Sequence, residues 1–209
     1  QALESWLEES LDRGHPFAAA RVESIAVAHG EVAAGIAFDA GPFHRVTEVA
    51  FPGLRSTRPS FLRRWIGFRP GRPYRESAWR DARIRLERTG LFTATEEPRI
   101  EPLPGGGARV HLPVEEARHN RIEGAIGYSG VRQSLSGFID LELGNLFGGG
   151  RRLAARWERI REDQSRLGLE WREPLLGPLP VGAQVRLDQE DQDSTFSRLV
   201  LEGSLESFL

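Results

Sequence analysis

The chain has 209 residues, 39% of them apolar and 9% aromatic, enough to bury a core and too many for a disordered chain. Its 28 basic residues nearly balance 30 acidic ones for a net charge of −2, which excludes a polybasic nucleic-acid or headgroup binder as the default reading. No apolar run approaches the roughly 18 residues of a membrane-spanning helix. A β-barrel, whose strands are apolar on one face only, is not excluded.

With no cysteine there is no disulfide framework and no thiolate metal site. Methionine is absent too, so residue 1 is not a translation start and the chain reads as a processed or excised piece. The basic residues are all arginine, which reads as a base-composition bias rather than a site.

Leu3, Trp6, Leu7 and Leu11 fall at helical spacing, and Gly14 stops that helix. Arg21–Ala28 and Val32–Phe38 flank His29-Gly30 as a hairpin. Phe43–Phe51 reads as a strand. Ser56-Thr57 before Pro59 signals a helix start, with Phe61, Leu62, Trp65 and Ile66 on its apolar face. A second helix runs from about Arg75 to Thr89, with Trp79, Ala82 and Leu86 on one side, ended by Gly90. Thr93–Glu101 and Ala108–Glu116 then flank Gly105-Gly106-Gly107 as a second hairpin.

The step from Gly14 to Gly90 equals that from Gly30 to Gly106, which lays the first hairpin on the second. The unit Phe43 to Glu116 therefore reads strand–helix–helix–strand–strand, with two helices on a three-stranded sheet. Trp65, Trp79, Leu86 and Phe92 are its expected core. The opening 41 residues are the back half of an earlier copy, as in a tandem array.

After Arg118 every segment alternates with period two. The expected strands are Arg121–Ser129, Phe138–Leu146, Arg152–Ile160, Arg166–Arg172, Val181–Gln189 and Arg198–Glu206. Each has one apolar and one charged face, so an up-and-down antiparallel meander is expected. Periodicity alone leaves open a soluble β-rich binding domain or a barrel with a polar lumen. Strand lengths of about 9–11 residues and charges of both signs recurring on the polar face favour the barrel.

The complete unit resembles a POTRA module. The resemblance rests on Phe51-Pro52-Gly53, Gly71-Arg72-Pro73-Tyr74, Arg88-Thr89-Gly90-Leu91-Phe92 and Val114-Glu115-Glu116. Gly124-Ala125-Ile126-Gly127-Tyr128-Ser129 looks like the start of a barrel that follows such modules. Asp140-Leu141-Glu142-Leu143-Gly144-Asn145-Leu146-Phe147-Gly148-Gly149-Gly150-Arg151 and Trp171-Arg172-Glu173-Pro174 continue it. Together they resemble the BamA/TamA outer-membrane assembly and translocation superfamily, TamA-like members most by eye.

The resemblance implies an α+β fold followed by an all-β antiparallel meander, a partial transmembrane β-barrel. Residues 1–41 would be the C-terminal part of a POTRA module, 42–117 a complete module and 118–209 about the first six barrel strands. Family barrels normally have sixteen strands, so this one is truncated. The implied protein is not an enzyme and needs no cofactor. It lies in the outer membrane with its modules in the periplasm. Its partners are the lipid bilayer and periplasmic client polypeptides, it admits accessory assembly subunits, and it binds no nucleic acid. A two-partner secretion transporter is the alternative within the superfamily.

Side-chain chemistry is sparse. His15, His29, His44, His111 and His119 form no ligand pair on a recognisable element. Gly148-Gly149-Gly150-Arg151 lacks the Lys-Ser/Thr of a P-loop and reads as a tight turn. Glu115 and Glu116 show no acid–base partner. Exposed module edges are expected to accept a client strand. The resemblance makes Arg121, Ile122, Glu123, Gly124, Ala125, Ile126, Gly127 and Tyr128 one side of a lateral gate. Gly124 and Gly127 either loosen that strand or relieve crowding in a curved sheet. Trp157 and Trp171 are candidates for an interfacial aromatic belt, or for ordinary packing.

Overall fold

The computed structural model of the chain describes residues 2–28, 31–130, 134–161, 163–177, 179, 181–192 and 196–207. The His29-Gly30 turn, and the repeat equivalence built on Gly30, lie outside these residues. The described chain divides into two units. The first comprises residues 1–53, 66–88 and 94–115; the second comprises 54–65, 89–93 and the chain from Glu116 onward.

The first unit opens with helix α1 (Ala2–Asp12), followed by strands β1 (Ala19–Ala28) and β2 (Glu31–Asp39), which pair antiparallel as expected. Trp6 of α1 packs on Phe38 of β2, ring centroids 4.6 Å apart. Along the chain then come β3 (Arg45–Ala50), helix α2 (Pro59–Trp65), which belongs to the second unit, β4 (Arg72–Pro73), helix α3 (Glu76–Arg88), β5 (Phe92–Thr95), β6 (Arg99–Pro102), β7 (Gly107–His111) and β8 (Val114–Glu116). The main sheet has the order β4-β3-β7-β6, with β3 and β7 parallel, so the expected three strands gain a two-residue fourth at the edge.

The core of this unit follows from local geometry. Trp79, Ala82 and Leu86 lie three and four residues apart on α3, a single helical stripe, and all three are buried. On β7, Ala108 and Val110 are buried at the period of a strand. On β3, Val46 and Val49 are both buried although three residues apart. The register slips between Val46 and Glu48, and that bulge returns Val49 to the core side. In the second unit, Phe61 and Leu62 of α2 are buried as expected, whereas Trp65 and Phe92 are only half-covered. Trp65 is the last residue of a two-turn helix, and so large a ring is seldom fully enclosed.

The second expected hairpin is not continuous. β6 pairs with β7, while β5 pairs separately with β8. Pro98 and Pro113 interrupt the two arms, and neither can donate to a ladder. The Glu96 amide instead reaches the Pro113 carbonyl at 3.0 Å.

The second unit carries one six-stranded sheet: β9 (Arg121–Ser129), β10 (Ser134–Leu146), β11 (Arg151–Arg161), β12 (Gln164–Glu173), β13 (Val181–Gln192) and β14 (Phe196–Ser207). The strand order is strictly sequential and every pair is antiparallel, the meander read from the sequence. Several strands run longer than the alternation suggested, because polar residues such as Gln189–Gln192 still pair through their backbones.

The registers sort the faces. Ile122, Leu141, Ala155, Leu169, Leu187 and Leu201 form one apolar row across all six strands. On the opposite face Glu158, Arg166, Glu190 and Arg198 form a row that alternates in sign. Cross-strand ion pairs knit that face: Arg166–Glu190 at 2.9 Å, Arg186–Glu170 at 2.7 Å, and Arg156–Asp140. Opposite charges placed directly across a ladder stabilise it modestly, by about 0.2–1 kcal/mol each.

Candidate functional site

The gate candidates occupy β9, one of the two edge strands of the six-stranded sheet, which among the described residues is hydrogen-bonded only to β10. Its residues are exposed throughout; Ile122 is 73% and Tyr128 68% accessible. Alternation puts Ile122, Gly124, Ile126 and Tyr128 on the apolar face and Arg121, Glu123, Ala125 and Gly127 on the charged face. Arg121 lies 3.7 Å from Glu142 across the ladder and 3.8 Å from Glu123.

The two glycines differ. A Cβ on Gly124 would stand 2.9 Å from the Phe138 carbonyl oxygen, so the close approach of β10 requires glycine there. At Gly127 the nearest atom would be Ser136 Oγ at 3.7 Å, ordinary contact distance. Crowding accounts for the first glycine and not for the second.

The root of β9 is held by a polar cluster that lies wholly within the second unit. The Glu116 carboxylate accepts the backbone N–H of Ser56 at 2.9 Å, that of Thr57 at 2.8 Å and the Ser56 hydroxyl at 2.8 Å. Burial pushes this carboxyl up, but the hydrogen bonds from Thr57 and Ser56 outweigh it and hold the pKa at about 2. Asn145, 8% exposed, donates through Nδ2 to the Thr57 hydroxyl at 2.8 Å and accepts the Gly150 amide on Oδ1 at 3.0 Å. The Arg58 amide donates to the Gly148 carbonyl at 2.9 Å.

Between Glu116 and β9 the chain stays tethered. The Ala117 amide and His119 Nε2 both donate to the Leu91 carbonyl, at 2.9 and 3.0 Å. His119 Nε2 faces a carbonyl, which fixes the proton on that nitrogen. The Gly144 amide in turn donates to the His119 carbonyl at 3.1 Å. The strand is thus pinned at its Arg121 end.

The β10–β11 turn that meets this cluster is itself unusual. Asn145 and Phe147 are the non-glycine residues with positive φ, 53° and 56°, among the described residues. Asparagine tolerates that conformation, and its three hydrogen bonds offset the remaining strain. A Cβ on Gly148 would collide with the Ser56 carbonyl, and one on Gly150 would meet the Phe61 ring at 2.6 Å. The glycine run is a docking turn that receives the α2 entry. Neither Glu116 nor Asn145 stands out in the sequence, because their partners lie 60 and 88 residues away.

Trp157 and Trp171 are half-buried on the apolar face. Trp157 shares a row with Ile139 and Leu167, and the next row outward carries Arg159 and Ser165. Trp171 shares a row with Leu153 and Val185, and the next row on that side carries the Arg151–Glu173 ion pair at 2.6 Å. On β11 and β12 each indole therefore borders a polar row, while Ile126 and Tyr128 on β9 and Leu205 on β14 carry the apolar face further. The two indole rows are about 13 Å apart along the strands at roughly 3.3 Å per residue.

Residues 44–117 match the POTRA family model, described as a surface antigen variable number repeat. BamA from Haemophilus ducreyi lacking POTRA domains 1–3 superposes with a TM-score of 0.68 at 23% identity, over 98% of this chain and 41% of that one. BamA POTRA3–5 from Haemophilus influenzae gives 0.49 at 26% identity, over 54% and 45%. CdiB from Acinetobacter baumannii gives 0.47 at 15% identity, over 98% and 38%. Among curated proteins none matches the chain. Residues 44–117 match the POTRA model, and the antiparallel meander that follows shares the fold of the BamA chain. The fold of the whole chain is similar to that of the BamA chain, of which it spans about two-fifths.

Proposed function

We propose that this chain is part of an outer-membrane protein that assembles or translocates polypeptides. In this reading residues 1–41 close an upstream POTRA module, 42–117 form a complete one, and 118–209 open a barrel in the bilayer. Periplasmic clients add strands to the module edges and then to β9. The apolar row through Ile122 and Leu141 faces lipid, and the charged rows line the lumen. No step needs a nucleotide; strand pairing and burial drive insertion.

The observation that supports this best is β9 itself: an edge strand with an unpaired side, pinned at one end and exposed along its length. A client strand there gains main-chain hydrogen bonds, and alternation sets which of its side chains meet lipid. The test is site-specific photocrosslinking from positions 122–128 of the full-length protein in cells. Clients captured from these positions, and lost when Ala125 or Ile126 is replaced by proline, are the expected result. Capture from module edges without capture from β9 refutes the gate and leaves a tether. Loss of a single secreted partner, with outer-membrane barrels unaffected in a deletion strain, favours two-partner secretion instead.

A further inference from the structure

Between Glu48 and Glu76 the chain carries arginines and no carboxylate, an imbalance hidden by the overall charge of −2. Within the first unit this stretch borders a cleft of about 440 Å³ between α3 and the β3–β4 edge. Its floor is apolar: Val46, Ile66, Phe68 and Trp79, with the Phe68 and Trp79 ring centroids 6.1 Å apart. Arg69, Arg72 and Arg75 stand exposed among its lining residues, and no acidic residue lines it. Asp12 lies near Arg75. Arg69 and Arg72 make no ion pair among the described residues, whereas most arginines of the six-stranded sheet are matched to carboxylates.

The geometry points to a binding site for an extended polypeptide that inserts an apolar, preferably aromatic, side chain flanked by carboxylates. This deepens the client-binding reading above and rests on it. The volume lies within the roughly 300–1,000 Å³ of sites that enclose a small ligand, and a ring can be seated against Phe68 and Trp79. Guanidinium forks at the rim match carboxylates on either side of that ring. β4 is the sheet's outer strand, so a chain lying beside it is already extended. Pro73 offers no N–H, which leaves the ladder short and gives the side chains the larger share of recognition.

The test is fluorescence anisotropy with the chain in detergent micelles. The probes are a labelled peptide alternating aspartate with phenylalanine and its lysine–phenylalanine counterpart. The acidic peptide is expected to bind at least tenfold more tightly than the basic one. Arg69→Glu and Arg72→Glu should each weaken it at least fivefold, and Arg88→Glu, an equal charge change on α3, should leave it unchanged. Should either charge reversal fail to fold by circular dichroism, Arg72→Gln replaces it, with about threefold weakening expected. Equal affinity for the two peptides, or indifference to the arginine substitutions, overturns the assignment. So does capture by anionic phosphatidylglycerol vesicles that depends on Arg69 and Arg72 while the peptide goes unbound. A protein that crosslinks clients from β9 but fails these measurements loses the cleft and keeps the gate; peptide binding without β9 crosslinks does the reverse.

Discussion

Replacing Glu116 with glutamine should loosen the root of β9 without disturbing the apolar core. The substitution keeps the shape but removes the charge that accepts two amides and a hydroxyl. Hydrogen bonds to a charged acceptor contribute about 1.5–3 kcal/mol net, and with one amide oxygen still able to accept, a local loss near the lower end is expected. At about 1.4 kcal/mol per decade, the Ser56, Thr57 and Arg58 amides should exchange hydrogen roughly tenfold faster at pH 7. The Gly150 amide, bound through Asn145, should follow them. The pH dependence gives a second check. The folded pKa, about 2, lies below the ordinary glutamate value of 4.5. The stabilisation is therefore fully present above about pH 4.5 and disappears as pH falls toward 2. The difference between wild type and Glu116→Gln should shrink over that window. Unchanged exchange at pH 7, or a difference that persists at pH 2, would refute the role assigned to this carboxylate.

Other expectations are simpler. Gly124→Ala should cost about 1–3 kcal/mol by forcing β10 away, while Gly127→Ala stays within about 0.5 kcal/mol; equal thermal shifts for the two would contradict the crowding account. Trp79→Ala, with the ring 8% exposed in the wild type, should cost about 3–5 kcal/mol in denaturant unfolding, and a loss under 1 kcal/mol would remove it from the core. His44 is 6% exposed and neither ring nitrogen has a partner among the described residues, so His44→Phe, keeping the edge-on contact with Phe17, should raise the melting midpoint by about 2–4 °C per kcal/mol relieved. A lower midpoint for that variant would show that the imidazole is satisfied.

How much was legible in the sequence depends on the range of the interaction. The helical stripe Trp79–Ala82–Leu86 and the period-two faces of β9–β14 are local patterns, and the structure carries them as read. The bulge in β3 was not legible, because an alternation broken by one residue looks like a loss of pattern. The split second hairpin follows from Pro98 and Pro113, whose breaks the residues flanking them mask in the sequence. The charge asymmetry around Arg69 and Arg72 was present in the sequence as a run without carboxylates, and the use of arginine throughout the chain concealed it. The pairing within the cluster around Glu116 had no local signal: a carboxylate, an asparagine and a helix-start pair acquire this meaning only when the chain brings them together.

The second unit takes residues 54–65 and 89–93 from inside the stretch that matches the POTRA family. The two units are therefore interleaved along the chain, and the stretch that matches the family model is not one physical unit. A recombination event at residue 118 would deliver β9 to a new host stripped of Ser56, Thr57 and Leu91, the groups that seat its root. A swapped module would have to bring the same three contacts in the same places to accept the strand. Exchange between relatives is then restricted to modules whose α2 entry fits the recipient's docking turn, a compatibility rule written across the junction rather than within either part.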